Sequence, residues 1–279
     1  MKLTSVELHP AKSNEYALLS FRDPTRENPF NVKEIVGLDA DEIVPRYYGT
    51  SGANKFYSLS LLKRDIVLKI NLSPRFGQSE TYSDLRDYLY KMIASSRTGK
   101  IQLQFKNDTE VVAAINGFVS KFETAHFDQD QEVQLTVNCD EPMLKALAPT
   151  VVSLVGLDPA ATTIQDVKSN APHGFQFDIK TTANMASIKI IDPRDPTAWS
   201  FELRPVGGFL TNDVLHFSSE YNNKFLYYTR GATTVYLADV IQLGSIWPYL
   251  FPGNNTFAFT NPASLTWQKI SYYPTYWGV

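Results

Sequence analysis

Residues 82–94, YSDLRDYLYKMIA, decide how the rest of the chain is read. Leu85, Tyr88, Leu89, Met92 and Ile93 fall at the i, i+3, i+4, i+7 and i+8 positions of one helical face. Thr81 and Asp84 have the spacing of a capping box, with Asp in place of Glu or Gln, and Gly99 is placed to end the helix or begin the turn out of it. Everything downstream alternates. Ile101, Leu103 and Phe105 predict a strand, Asn107-Asp108 a turn, and Val111–Glu123 a return with a break at Asn116-Gly117. Val133, Leu135, Val137 and Cys139 then close a sheet before Asp140-Glu141-Pro142. One amphipathic helix among strands must cover a sheet, because nothing else nearby can bury its apolar face. The first half is expected to be a β-sandwich or barrel-like domain with that helix as its lid.

Composition bounds the function. A chain of 279 residues is long enough for two domains, each with its own core. A net charge of -3 argues against sequence-specific nucleic-acid binding, which needs a basic stripe. No apolar run is long enough to cross a bilayer, and the polar start MKLTSVELHP does not read as a signal peptide. The single cysteine, Cys139, excludes an intramolecular disulfide and fits a reducing compartment; its phase with Val133, Leu135 and Val137 makes it a small core residue rather than a nucleophile.

Earlier in the chain, Val6–Leu8, Tyr16–Phe21 and Ile35–Leu38 predict short strands, with Arg22–Asn31 a polar loop and Asp39–Glu42 a solvated acidic one. Strand signal runs through Phe56–Leu62 and Ile66–Leu72, with Ile66, Leu68, Ile70 and Leu72 on one face. The loop Gly49–Asn54 lacks the spacing and the Lys of a phosphate-binding loop and reads as a hairpin. Beyond Pro142 the texture changes to short strands at sandwich-like spacing: Gly174–Lys180, Ser187–Ile191, Trp199–Leu203, Val214–Phe217, Lys224–Thr229, Thr233–Ala238, Thr256–Phe259 and Leu265–Ser271. The boundary falls near Lys145–Thr150, giving domains 1–147 and 148–279.

No catalytic constellation emerges. His9, His126, His173 and His216 are scattered, without metal-ligand spacing, and there is no nucleophile elbow or dinucleotide loop. Asp192 and Asp195 could pair as glycosidase acids, but both precede prolines in one turn, where Asp commonly bonds its own backbone. No catalytic, cofactor-binding or metal residue is therefore assigned, no cofactor is expected, and the chain is not expected to be an enzyme. The residues alone lead to two β-rich domains that offer surfaces to partners.

The order of these features resembles the distal tail protein family of long-tailed, siphovirus-type bacteriophages. The elements that carry the resemblance are the strand pair around Tyr47–Leu72, the helix Asp84–Tyr90, the hairpin from Ile101 and the closing strand ending at Cys139-Asp140-Glu141-Pro142. In the second half it is carried by Trp247–Thr256, whose Leu250-Phe251-Pro252-Gly253-Asn254-Asn255 resembles the stretch before one of the last strands of a galectin-like sandwich. The resemblance implies a structural virion protein of the tail tip or baseplate, made in the host cytoplasm. It implies a hexameric ring formed by residues 1–147, with outward galectin-like sandwiches, joining the tail-tube protein to a tail hub or fibre protein while DNA passes through. Lys55–Lys69 is then the arm expected to reach a neighbour or the tube, and the surroundings of Tyr221–Tyr228 and Trp247–Phe251 the outward contact region. An acidic chain suits a lumen through which DNA slides.

Two other classes stay open. A carbohydrate-binding, galectin-like module would use Trp and Tyr to stack on a host-surface glycan, and would be a monomer or dimer. A cell-wall-cleaving enzyme would need the pair Asp192 and Asp195, or a metal site, to act.

Overall fold

The computed structural model describes residues 2–11, 14–21, 27–39, 43–48, 55–61, 64–95, 100–124, 131–139, 141–191, 200–237 and 240–278. The chain divides into two compact units, Met1–Leu147 with Tyr276–Val279 and Ala148–Thr275. The last four residues thus belong to the first unit, although sequence order places them after the second.

The first unit contains β1 (Ser5–Pro10), β2 (Ala17–Ser20), β3 (Phe30–Val36), β4 (Ile43–Tyr48), β5 (Lys55–Leu61), β6 (Asp65–Leu72), α1 (Tyr82–Ser95), β7 (Lys100–Lys106), β8 (Val111–Thr124), β9 (Glu132–Cys139) and β10 (Leu144–Lys145). Seven strands run β8-β7-β1-β2-β3-β6-β9, and β9 pairs back onto β8, so the sheet closes on itself as a barrel. The alternation is clean. Ile66, Leu68, Ile70 and Leu72 of β6 and Val133, Leu135 and Val137 of β9 all point into the core, as do Val6, Leu8, Leu103 and Phe105.

Gly117 is the corner of this closure. It faces Ile101 of β7 on one side and Cys139 of β9 on the other, so β8 passes from one partner to the other at this residue. The break expected at Asn116-Gly117 is therefore a bend within one continuous 14-residue strand. Glycine is required there: a Cβ would lie 2.7 Å from Val137 Cγ1 and closer still to the Asn138 carbonyl oxygen.

The weak point of the barrel is the seam between β2 and β3. These strands run parallel and share a single register pair, Ser20 with Asn31, whereas the other pairings are antiparallel. Asn28 stitches the seam, its Nδ2 donating to Leu18 O at 2.9 Å and to Ser20 Oγ at 2.8 Å while its Oδ1 accepts from Phe30 N at 3.0 Å. Helix α1 lies against β1 and β6 and buries Leu85, Leu89 and Met92. Its start is the expected capping box: Asp84 Oδ2 accepts from Thr81 N at 2.9 Å, and Thr81 Oγ1 accepts from Asp84 N at 3.3 Å. Gly99 lies outside the described residues.

One local expectation is corrected, and one strand was not predicted in full. The strand read from Ile35 begins already at Phe30, because Phe30 and Val32 supply core-facing positions that the preceding Pro29 and the polar Asn31, Lys33 and Glu34 obscured. Ile43–Tyr48 is a strand despite Pro45, and among the described residues it pairs with β5 in a two-stranded sheet.

The second unit holds β11 (Thr150–Ser153), β12 (Thr162–Asp166), β13 (Gln176–Thr181), β14 (Ile188–Ile191), β15 (Ser200–Leu203), β16 (Val214–Ser218), β17 (Phe225–Arg230), β18 (Thr233–Tyr236), β19 (Gly253–Phe259) and β20 (Leu265–Tyr272); β21 (Thr275–Tyr276) ends the chain. A six-stranded sheet, β11-β20-β13-β16-β17-β18, faces a four-stranded one, β12-β19-β14-β15. One apolar cluster joins them, with Phe177, Phe217 and Trp267 from the first and Phe201, Phe257 and Phe259 from the second. Every strand expected after Pro142 is present, within a few residues at its ends. β11 and β12 were not foreseen, being short and carrying several polar residues.

Candidate interaction surfaces

Three places offer a strand edge or polar and aromatic groups to a partner. The first is the β4–β5 hairpin. Its ladder runs from Ile43 opposite Leu61 to Tyr48 opposite Lys55, with an irregularity between Arg46 and Tyr47. Isolated two-stranded hairpins are marginal in water, and their outer edges present unpaired backbone groups. Arg64, 3% exposed, follows β5 and donates through Nη1 to Leu38 O at 2.7 Å and to Gly37 O at 3.3 Å, and through Nη2 to Trp277 O. One buried guanidinium thus ties both ends of the hairpin segment to the chain's C-terminal residues. Of the expected arm Lys55–Lys69, residues Lys55–Leu61 lie in this hairpin, while Asp65–Leu72 forms a barrel strand.

The second place is a cleft of about 770 Å³ at the β2–β3 seam, lined by Leu18, Asn28, Phe30, Arg75, Glu80 and Tyr88 among others. Tyr88 stacks on Phe30 with ring centres 5.7 Å apart, and its hydroxyl donates to Tyr16 O at 3.3 Å. Burial pushes the Tyr88 hydroxyl pKa up. Glu80 accepts from Arg75 Nη2 at 2.9 Å and Nε at 3.2 Å, and this pairing holds its carboxyl below the usual range. Hydrogen bonds from Thr81 do the same for Asp84. Glu80 and Asp84 are thus held as carboxylates, so neither is poised to donate a proton near neutrality.

The third is the outer face of the six-stranded sheet, where alternation sets polar and aromatic side chains opposite the core. Lys269, Asp178, His216, Tyr227 and Tyr236 are successive cross-strand neighbours. At one rim of this unit the buried Asp213 accepts from Arg230 Nε at 2.9 Å, Arg230 Nη2 at 2.7 Å and Leu210 N at 2.8 Å. Burial opposes ionisation of Asp213, but these bonds outweigh it and hold its pKa low. Of the expected contact region, Tyr221 and Phe251 are exposed, whereas Leu226, Tyr228 and Leu250 are core.

The residues weighed for chemistry do not converge. His9 bonds Glu7 at 3.0 Å and stacks on Tyr16, His173 is buried beside Asp166, and His216 bonds Asp178 at 2.8 Å. Cys139 packs against the barrel core. His126, Asp192 and Asp195 lie outside the described residues. Among the described residues no three His, Cys, Asp or Glu side chains come together. Sequence reasoning missed the cross-strand row, although the placement of His216, Tyr227 and Tyr236 at alternate positions of consecutive strands was a usable signal.

No protein-family model matches the chain, and no curated protein does. Among solved structures it is similar to the Dit protein (gp 19.1) of SPP1, described as a paradigm of the hub adsorption apparatus in phages infecting Gram-positive bacteria. That likeness has a TM-score of 0.60 at 14% identity and covers 97% of this chain and 98% of that one. Chains of the phage p2 baseplate in its activated conformation also match, with Sr at 9% identity over 97% of this chain and 98% of that one, and with Ca at 8% over all of both. At a TM-score of 0.42 they carry no weight. The SPP1 likeness is one of fold, running through both units.

Proposed function

We propose that this chain is a distal tail protein of a long-tailed bacteriophage, a structural rather than catalytic component of the tail tip. Six copies form a ring through the barrel unit, joining the tail-tube protein to a hub or fibre protein and leaving an opening for DNA. The protein is made in the host cytoplasm and resides in the virion. The observation that carries this reading is the agreement of fold with the SPP1 Dit protein over 97% of the chain.

The physical design of the first unit supports it. A closed barrel leaves little edge of its own, so association must use an added element, and the β4–β5 hairpin supplies one. A ring needs a heterologous contact, a donor surface on one copy meeting a different acceptor on the next. Arg64 bonds Gly37 and Leu38, which holds together the two ends of the segment that contains the hairpin. A host-surface glycan as a further partner rests on the second unit.

The test is the mass of the purified protein in solution, with negative-stain images of the same sample. A six-subunit ring with a central opening is expected, either alone or on addition of tail-tube or hub protein. A monomer that neither partner converts to a ring would overturn the proposal.

A further inference from the structure

Tyr276, Trp277 and Gly278 follow the second unit in sequence yet belong to the first, and each meets a different part of it. Half-buried Tyr276 packs against the barrel's core cluster. Trp277 O accepts from Arg64 Nη2. Gly278 lies so close to Asp39 that a Cβ there would be 2.4 Å from Asp39 Oδ1 and 3.2 Å from Asp39 Cα, with Leu38 O at 3.3 Å.

Two of these contacts fall on the ends of the segment that contains the β4–β5 hairpin. Residues 37–39 precede β4, and Arg64 follows β5. On one side Gly37 is pressed against Asp65: a Cβ would lie 2.0 Å from the Asp65 carbonyl oxygen, and the φ of +87° is one that glycine adopts without strain. On the other side Gly278 closes over Leu38 and Asp39. Arg64 joins the three stretches, its buried guanidinium giving Nη1 to Leu38 O and Gly37 O and Nη2 to Trp277 O. A buried guanidinium stays in place while acceptors match its donors. Loss of Trp277 O removes one acceptor and favours rotation of the side chain toward water. Loss of Gly278 removes one wall of the stretch 37–39. Both changes let the two ends part, and ends that part widen the range of positions open to everything between them. A segment of three residues also opens far more readily than a strand of the closed barrel, whose ladder bonds must break together.

We propose that residues 276–278 are a strap that holds the two ends of the hairpin segment together, and that the hairpin serves assembly only while the strap is seated. The hairpin's part in assembly rests on the ring reading above; the strap itself does not.

The test compares the parent chain with Gly278→Val, which places a branched side chain against Asp39 and Leu38, and with a chain ending at Thr275. Thr275 keeps its own bonds in the second unit, donating to Ser169 Oγ at 3.1 Å and accepting from Asn170 N at 3.1 Å and Ala171 N at 3.2 Å. Hydrogen exchange read by mass spectrometry should quicken by about tenfold or more in 37–39, 43–48 and 55–61 in both variants, and stay at the parent's rate in 65–72, 132–139 and the second unit. Ring formation, alone or with tail-tube or hub protein, should fall by about tenfold in both. Unchanged exchange in 37–39, 43–48 and 55–61 overturns the strap. Exchange that quickens equally in 65–72 and 132–139 also overturns it, by making 276–278 an ordinary part of the barrel. Quickened exchange with rings at the parent's level overturns the link to assembly. If the parent forms no ring under any of these conditions, the ring reading fails with that link, and exchange still decides the strap.

Discussion

Substituting Gly117 by alanine tests the barrel closure directly. The added Cβ would sit 2.7 Å from Val137 Cγ1, where ordinary contact begins near 3.4 Å, a shortfall of 0.7 Å (3.4 less 2.7), and it would press harder on the Asn138 carbonyl. Val137 is fully buried and cannot swing away, so the strands β8 and β9 must part at the residue where β8 changes partner. Overpacking of this kind costs about 1–3 kcal/mol, and weakening two ladder hydrogen bonds adds about 0.5–1.5 kcal/mol each. The expected loss is about 2–6 kcal/mol from the first unit, a large part of what a domain of this size has. Urea unfolding followed by far-UV circular dichroism gives the total. Trp247 and Trp267 belong to the second unit and Trp277 to the first, so in a Trp277→Phe background tryptophan fluorescence follows the second unit separately and should not move. Hydrogen exchange in 111–124 and 132–139 should quicken, while the exposed neighbour Asn116→Ala should change stability by less than about 0.5 kcal/mol. A loss under about 0.5 kcal/mol for Gly117→Ala would mean that β8 and β9 do not close the barrel here.

Leu89→Ala should cost the first unit about 2–5 kcal/mol, since Leu89 is 1% exposed under the helix; a loss well under 1 kcal/mol in urea would show that α1 does not rest on the sheet. Asp213 has a folded pKa below its unfolded value, so its contribution is present above the unfolded carboxylate range near pH 4 and fades as pH falls through the lower folded value. The second unit's urea midpoint should therefore fall on acidification below about pH 4, less steeply in Asp213→Asn; equal slopes would refute the assignment. Arg64→Met should release the chain's last residues to carboxypeptidase faster than in the parent protein, because Trp277 O loses its donor. Replacing 43–61 with a short Gly-Ser linker should leave the barrel folded but abolish ring formation, and rings formed by that variant would remove the hairpin from the assembly.

What could be read from the linear chain was whatever has a short period. The helix announced itself through Leu85, Leu89 and Met92 and through Thr81 with Asp84, all within one segment. The strands announced themselves by alternation, as in Ile66, Leu68, Ile70 and Leu72. The mainly β class and the helix over a sheet follow from those local patterns, because a face with a fixed period must be buried somewhere. Pairing has no such signature. That β9 returns to β8, that Gly117 is a corner rather than a break, and that β2 meets β3 in parallel are matters of register between distant segments. The same holds for the candidate site. His216 and Tyr227 were each visible as residues. Their place in one row with Lys269, Asp178 and Tyr236 exists only because four strand pairings bring five segments into step. Period belongs to the chain and adjacency to the fold, since the energy that selects one pairing over another is gained only when the whole core closes.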